Sequence, residues 1–132
     1  MTKFEGELKQ KFTREFKDRM PGGFYLLQYA TNGAPDREVV GAGITTRWEM
    51  KHGTPSFESP GDQELMCCRL AAVAHCRYVI WQLRKGIRRT MIVHPNAVRL
   101  RTGWDLIPEA FCTGFDMRWL VEQIRMAHER AR

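Results

Sequence analysis

The stretch Asp36-Arg37-Glu38-Val39-Val40-Gly41-Ala42-Gly43-Ile44-Thr45-Thr46-Arg47-Trp48-Glu49-Met50-Lys51 decides how the chain is read. Asp36–Val40 and Ile44–Met50 have strand composition, and Gly41-Ala42-Gly43 between them supplies the positive φ of a tight hairpin. Glu49 and Lys51 stand two residues apart on one strand and so point to one face. If the two strands pair, Asp36 near one end lies close to Glu49 near the facing end, which gathers two carboxylates and an ammonium. A hard divalent cation such as Mg²⁺ takes a few carboxylate and carbonyl oxygens and keeps several waters, so Asp36, Glu49 and the main-chain carbonyl of Met50 form a candidate metal site. Such an ion lowers the pKa of its bound water and neutralises a scissile phosphate. Lys51 would orient or deprotonate that water, or stabilise the developing charge. An isolated Glu-x-Lys is more often a simple ion pair on a strand, so the surrounding sequence has to decide.

Upstream, Thr2–Met20 spaces Leu8, Phe12 and Phe16 four apart among charges, which predicts an amphipathic helix ending at Pro21-Gly22-Gly23. Phe24–Tyr29 is short and aromatic, a buried strand, and Asn32-Gly33-Ala34-Pro35 is a loop. Downstream, His52–Pro60 is polar. Ser59-Pro60-Gly61-Asp62 then has the N-cap serine, first-position proline and first-turn acid of a helix start, and this helix is expected to run to about Cys76. Tyr78–Leu83 and Thr90–Val93 read as two more strands around the basic turn Arg84–Arg89, and Asp116 to about Ala131 as a final amphipathic helix. The order helix, three strands, helix, two strands, helix predicts an α/β fold with a central mixed five-stranded sheet flanked by helices, in a single domain over 1–132.

The composition suits that size: 132 residues, 43% hydrophobic and 27% charged, are enough for one core. No run approaches the roughly 20 apolar residues that span a bilayer, and the first residues lack a signal peptide's apolar stretch, so the expectation is a cytoplasmic protein without a membrane partner. Cys67, Cys68, Cys76 and Cys112 are too clustered for a disulfide framework, and three of them fall in the predicted second helix as reduced core residues. Cys68, His75 and Cys76 offer neither a CxxC pair nor a distant partner pair for zinc. The net charge is +6, and the segment Arg84–Arg101 carries six Lys or Arg and no acid; without it the chain has 15 basic and 15 acidic residues. A localised basic face points to a polyanion, because each phosphate neutralised releases counterions.

Gly33-Ala34-Pro35-Asp36, then Arg47-Trp48-Glu49-Met50-Lys51, then Gln63 opening a helix together resemble the PD-(D/E)XK nuclease superfamily. Within it the pattern is most similar to VRR-NUC domains and archaeal-type Holliday junction resolvases. The resemblance runs from Glu5 to about Trp81, with Arg47-Trp48 where aliphatic residues are usual. It implies a restriction-endonuclease-like core, metal binding by Asp36 and Glu49, the catalytic lysine role for Lys51, and a supporting role for Gln63 near water or phosphate. The family's early glutamate falls on Glu5 or Glu7. Glu5 is preferred, because its spacing to Leu8 and Phe12 sets it on the core side of the helix. The same resemblance implies Mg²⁺ or Mn²⁺ as cofactor, branched DNA as substrate, a symmetric homodimer, and a repair or recombination role in a bacterial or phage-infected cell. Arg84, Lys85, Arg88 and Arg89 are the candidates for phosphate contacts. His52 reads as an exposed loop residue, His75 and His94 as structural, and Trp81 and Trp104 as core. The competing readings are flap trimming or nicking on the same core, a DNA-binding module without catalysis, and an interaction protein with a basic surface.

Overall fold

The computed structural model describes residues 3–28, 36–53, 62–100 and 106–131. Its elements are α1 (Lys3–Arg19), β1 (Tyr25–Gln28), β2 (Arg37–Gly41), β3 (Ile44–His52), α2 (Asp62–Val73), β4 (Cys76–Arg84), β5 (Ile87–Val93), α3 (Pro95–Leu100), β6 (Ala110–Thr113) and α4 (Met117–Arg130). The six strands form one open mixed sheet in the order β1-β2-β3-β4-β5-β6. All neighbours are antiparallel except β3 and β4, which run parallel.

The sheet therefore has six strands where five are expected. The extra one, Ala110-Phe111-Cys112-Thr113, is a four-residue edge strand that buries little, and Phe111 is 62% exposed. So short and weakly patterned a segment carries no strand signal of its own; its ladder to β5 supplies the stabilisation. Helix α3 is likewise unanticipated. It begins at Pro95, and His94 Nδ1 accepts the N–H of Asn96 at 3.1 Å as a side-chain cap. The second helix stops at Val73, short of Cys76, because the parallel seam starts there: Arg47 pairs with Cys76, and Arg47 N donates to His75 O at 2.9 Å. Cys76 is thus a strand residue, while Cys67 and Cys68 stay on α2, and all four cysteines are free thiols. The expected helix start at Ser59-Pro60-Gly61 lies outside the described residues.

The β2–β3 hairpin turns on Ala42 (φ 53°) and Gly43 (φ 77°), two left-handed residues as in a type I′ turn. Gly41 belongs to the strand instead of the turn, and its missing side chain matters for packing, because a Cβ there would run into the Phe24 ring. Gly41→Ala is expected to cost about 1–3 kcal/mol by displacing that ring, read as a lower midpoint in urea at unchanged slope.

Two cores flank the sheet. On one face Val39, Trp48, Met50, Val79, Trp81 and Ile92 pack against Leu8, Phe12 and Phe16 of α1 and Leu120, Val121, Ile124 and Ala127 of α4. On the other, Tyr78, Ile80, Met91 and Val93 meet Cys67 of α2, Val98 of α3 and Leu106. With both faces of β4 covered, its residues from Cys76 to Gln82 read as a nearly unbroken apolar run. A buried polar chain ties α4 to β3: Trp48 Nε1 donates to Thr46 Oγ1 (2.8 Å), Thr46 Oγ1 lies 3.1 Å from His128 Nδ1, and His128 Nε2 lies 3.3 Å from Ile44 O. The Ile44 carbonyl can only accept, so Nε2 carries the proton and Nδ1 takes the threonine's. Asp116 caps α4 by accepting the N–H of Trp119 at 3.0 Å. Among the described residues no helix is long and apolar enough to cross a membrane.

Candidate active site at the end of strand β3

The hairpin register sets Arg37 opposite Trp48, so Asp36, one residue earlier, faces Glu49. Its Oδ1 accepts the N–H of Met50 at 3.1 Å, which fixes the carboxylate where β2 begins. Because the pleat sends Trp48 and Met50 into the α1/α4 core, Glu49 and Lys51 share the opposite face with Tyr78 and Ile80, their partners on β4. Lys51 Nζ lies 3.9 Å from Glu49 Oε1, and the lysine side chain keeps 31% of its exposure while that of Glu49 keeps 2%. A carboxylate, a deeper carboxylate and a solvent-reaching ammonium thus meet at one end of the sheet.

Helix α1 reaches the same end from the other face. Glu5 is buried and its Oε1 accepts the N–H of His52 at 2.9 Å, whereas Glu7 is exposed, so Glu5 is the helix carboxylate that belongs to the site. One turn on, Lys9 is also buried, with Nζ 2.5 Å from Asp36 Oδ2 and 3.5 Å from Glu5 Oε2. Sequence reasoning missed Lys9, since a lysine in an amphipathic helix reads as solvated. The available signal was its position: it follows Leu8 directly and sits one turn after Glu5, inside the apolar stripe. Arg37 folds back, with Nη1 donating to Asp36 O at 2.9 Å and lying 3.7 Å from Asp36 Oδ2.

Burial first, and Asp36 second, push the Glu49 carboxyl up to about 8, against the opposing pull of Lys51. At neutral pH the metal-free site therefore holds a proton on Glu49. The sign follows from linkage: a carboxyl whose folded pKa lies above its unfolded value contributes stability that is complete below about 4.5 and lost as the pH rises through about 8. The metal-free protein is expected to melt at progressively lower temperature across that window, and Glu49→Gln to flatten the decline. Thermal melts in EDTA from acid to alkaline pH test this, and an unchanged slope in the variant would assign the decline to other groups.

The residues suit a hard divalent ion. Among the described residues no three acidic, histidine or cysteine side chains form a closed cage. Mg²⁺ does not require one, since it binds through one or two carboxylates plus water and substrate oxygens. Asp36 Oδ2 is buried and, among the described residues, receives no directed hydrogen bond despite the nearby ammonium. The Met50 carbonyl points to the same strand edge as its N–H, toward Asp36. Gln63 falls in the first turn of α2, with its side chain outside the described part.

The β4–β5 hairpin turns on Lys85 (φ 50°) and Gly86 (φ 78°) at the same end of the sheet, beyond Trp81, the partner of His52. Arg84, Lys85 and Arg88 are exposed there. Arg89 is different: its Nε donates to Gln82 Oε1 at 2.9 Å, half-buried across the hairpin, so it acts within the sheet. Arg88 lies over the Phe115 ring at 5.3 Å, and Phe115, Phe4 and His52 form a ring cluster with centroids 4.7 to 6.3 Å apart. His52 is therefore the half-buried last residue of β3, not an exposed loop residue. His75 packs on Trp48 at 4.8 Å and is held down to about 4 by burial, helped by Arg77. Trp81 is fully buried, and Trp104 lies outside the described residues. No model of a known protein family matches the chain, and no curated protein matches it in sequence.

Proposed function

We propose that the protein is a Mg²⁺- or Mn²⁺-dependent endodeoxyribonuclease with a restriction-endonuclease-like core, cutting branched DNA as a homodimer. One observation carries it: Asp36 and Glu49 are cross-strand neighbours, with Lys51 on the face of Glu49 and Asp36 anchored by the Met50 N–H. Asp36, Glu49 and the Met50 carbonyl would hold the ion. When bound, it would lower the pKa of a coordinated water and neutralise phosphate charge. Lys51 reaches solvent beside Glu49, placed to take or give the proton of the attacking water and to meet a phosphate oxygen. Glu5, by accepting the His52 N–H, holds the strand end that carries these groups, and the supporting role near water or phosphate falls to Gln63 in the first turn of α2. Arg84, Lys85 and Arg88 supply phosphate contacts.

Cleavage of a labelled four-way junction beside flap, single-stranded and linear duplex DNA, with Mg²⁺, Mn²⁺ or EDTA, tests the reading. Paired symmetric cuts in the junction support resolution by a dimer; cuts confined to flaps or single strands move the role to trimming. A second reading, a DNA-binding module without catalysis, is favoured by Lys9, whose ammonium already answers the charge of Asp36 and Glu5. It predicts DNA binding with a steep salt dependence, no heat of Mn²⁺ binding and no cutting. On either reading Arg88→Ala should weaken DNA binding for all sequences and lower the salt slope by about 1. Arg89→Ala, which removes the hydrogen bond from Arg89 Nε to Gln82 Oε1, should mainly lower the melting temperature. Equal losses of affinity in the two variants would remove the distinction drawn between them.

A further inference from the structure

The two banks of the carboxylate site are not equally described by a basic β4–β5 turn. On the far side, between α1 and the first two strands, runs a groove of about 590 Å³ lined by Lys9, Arg14 and Arg37 with Gln10, Thr13 and Gln28, and by no acidic residue among the described residues. It opens at the same end of the sheet, because Gln28 ends β1 opposite Arg37, where β2 begins. It is also continuous with the candidate active site, since Lys9 and Arg37 both touch Asp36.

Lys9 and Arg37 share their charge with Asp36 and Glu5. The uncompensated charge is that of Arg14, exposed on α1 and without an ion pair among the described residues. A second observation asks for an acceptor: Arg37 is 9% exposed, yet its Nε has no hydrogen-bond partner among the described residues. Cationic and amide donors without a lining acid suit a phosphodiester oxygen, to which a guanidinium binds with directed, charge-assisted bonds.

Resting on the nuclease reading, the geometry points to a transverse DNA track: one strand crosses the sheet end from the β4–β5 turn, passes the carboxylates, and sets a phosphate in the α1–β1 groove against Arg14, Lys9 and Arg37. The span fits. From β1 to β5 there are four interstrand intervals, about 19 Å at the usual spacing. At roughly 3.4 Å per nucleotide this covers about six phosphates. Cations at both ends with the carboxylates between them hold the scissile phosphate in place by its neighbours, which is how binding remote from the chemistry positions a substrate.

The test is fluorescence anisotropy with a fluorescein-labelled oligonucleotide, single-stranded and as duplex, titrated in EDTA over a range of salt. Arg14→Glu is expected to weaken binding several-fold and to lower the salt slope by about 1. Its loss should add to that of Arg88→Ala, because the two sites are too far apart to share a contact. Arg125→Glu on α4, where the arginine is paired with Glu122 and Glu129, makes the same charge change away from the track and should leave binding unaltered. Unchanged affinity and slope in Arg14→Glu, with normal DNA binding by the wild type, would overturn the track and leave the nuclease standing. Equal losses in Arg14→Glu and Arg125→Glu would also overturn it, as a mere effect of net charge. Weakened binding confined to Arg14→Glu, from a wild type that cuts no DNA with either metal, would keep the track and remove the nuclease.

Discussion

Lys51→Ala is expected to lower the rate of metal-dependent cleavage by about 10²–10⁴-fold, the range for losing a positioned proton-transfer group. It should do so without loss of fold, because the Lys51 side chain keeps 31% of its exposure and anchors no core. Glu49→Gln should reach a loss at least as large by a different route. The carboxyl is 2% exposed, faces Asp36, and must give up its proton before it can serve a cation. The amide keeps shape and hydrogen bonding but can never ionise. The two variants separate in Mn²⁺ calorimetry: Lys51→Ala retains binding, and Glu49→Gln loses most of it. Single-turnover cleavage at saturating protein keeps substrate affinity out of the comparison. Wild-type rates in both variants would remove these residues from the chemistry.

Lys9→Met is expected to destabilise the metal-free protein by roughly 3–5 kcal/mol, the cost of breaking a buried ion pair from one side. The ammonium lies 2.5 Å from Asp36 and 3.5 Å from Glu5, and the side chains of all three are at most 13% exposed. Methionine fills the stem's volume, so the loss falls on charge: two buried carboxylates remain, and Arg37, 3.7 Å from Asp36, answers only part of their charge. A divalent cation restores the missing charge. Saturating Mn²⁺ should therefore raise the melting temperature of Lys9→Met more than that of the wild type, and a hundredfold excess over Kd is worth about 2.7 kcal/mol. Asp36→Asn added to Lys9→Met should recover part of the loss in EDTA. Equal melting of Lys9→Met and wild type in EDTA would show that the ammonium contributes nothing to the empty site.

The hairpin was legible because two signals agreed within one short stretch. Glycines bracket the reversal, and Trp48 and Met50 alternate with Glu49 and Lys51, which the pleat turns into one apolar and one charged face. Trp48 itself is held by the His75 ring, with centroids 4.8 Å apart, and by the Thr46 hydroxyl, which accepts its indole N–H. Lys9 was illegible because charge alone does not say whether a helix residue meets water or a buried acid. The place of Arg89 was illegible for the converse reason: it sits in a basic run, but β4–β5 register sets it opposite Gln82, to which its Nε donates. The sixth strand and α3 are too short to announce themselves and exist through tertiary pairing and a histidine cap.

The parallel seam between β3 and β4 divides the sheet into two antiparallel halves whose innermost hairpins, β2–β3 and β4–β5, each reverse over a two-residue turn. Closing so small a loop costs little entropy, whereas joining β3 to β4 must wait for the long connection through α2. The order of assembly follows. Asp36 and Glu49 meet early, as charged and hydrated neighbours on a local hairpin, and lose their water only when the seam closes and α1 and α2 come down. Folding of this protein should accordingly quicken when the pair is neutralised, with Asp36→Asn speeding the refolding arm of the chevron even as loss of the Lys9 ion pair speeds unfolding.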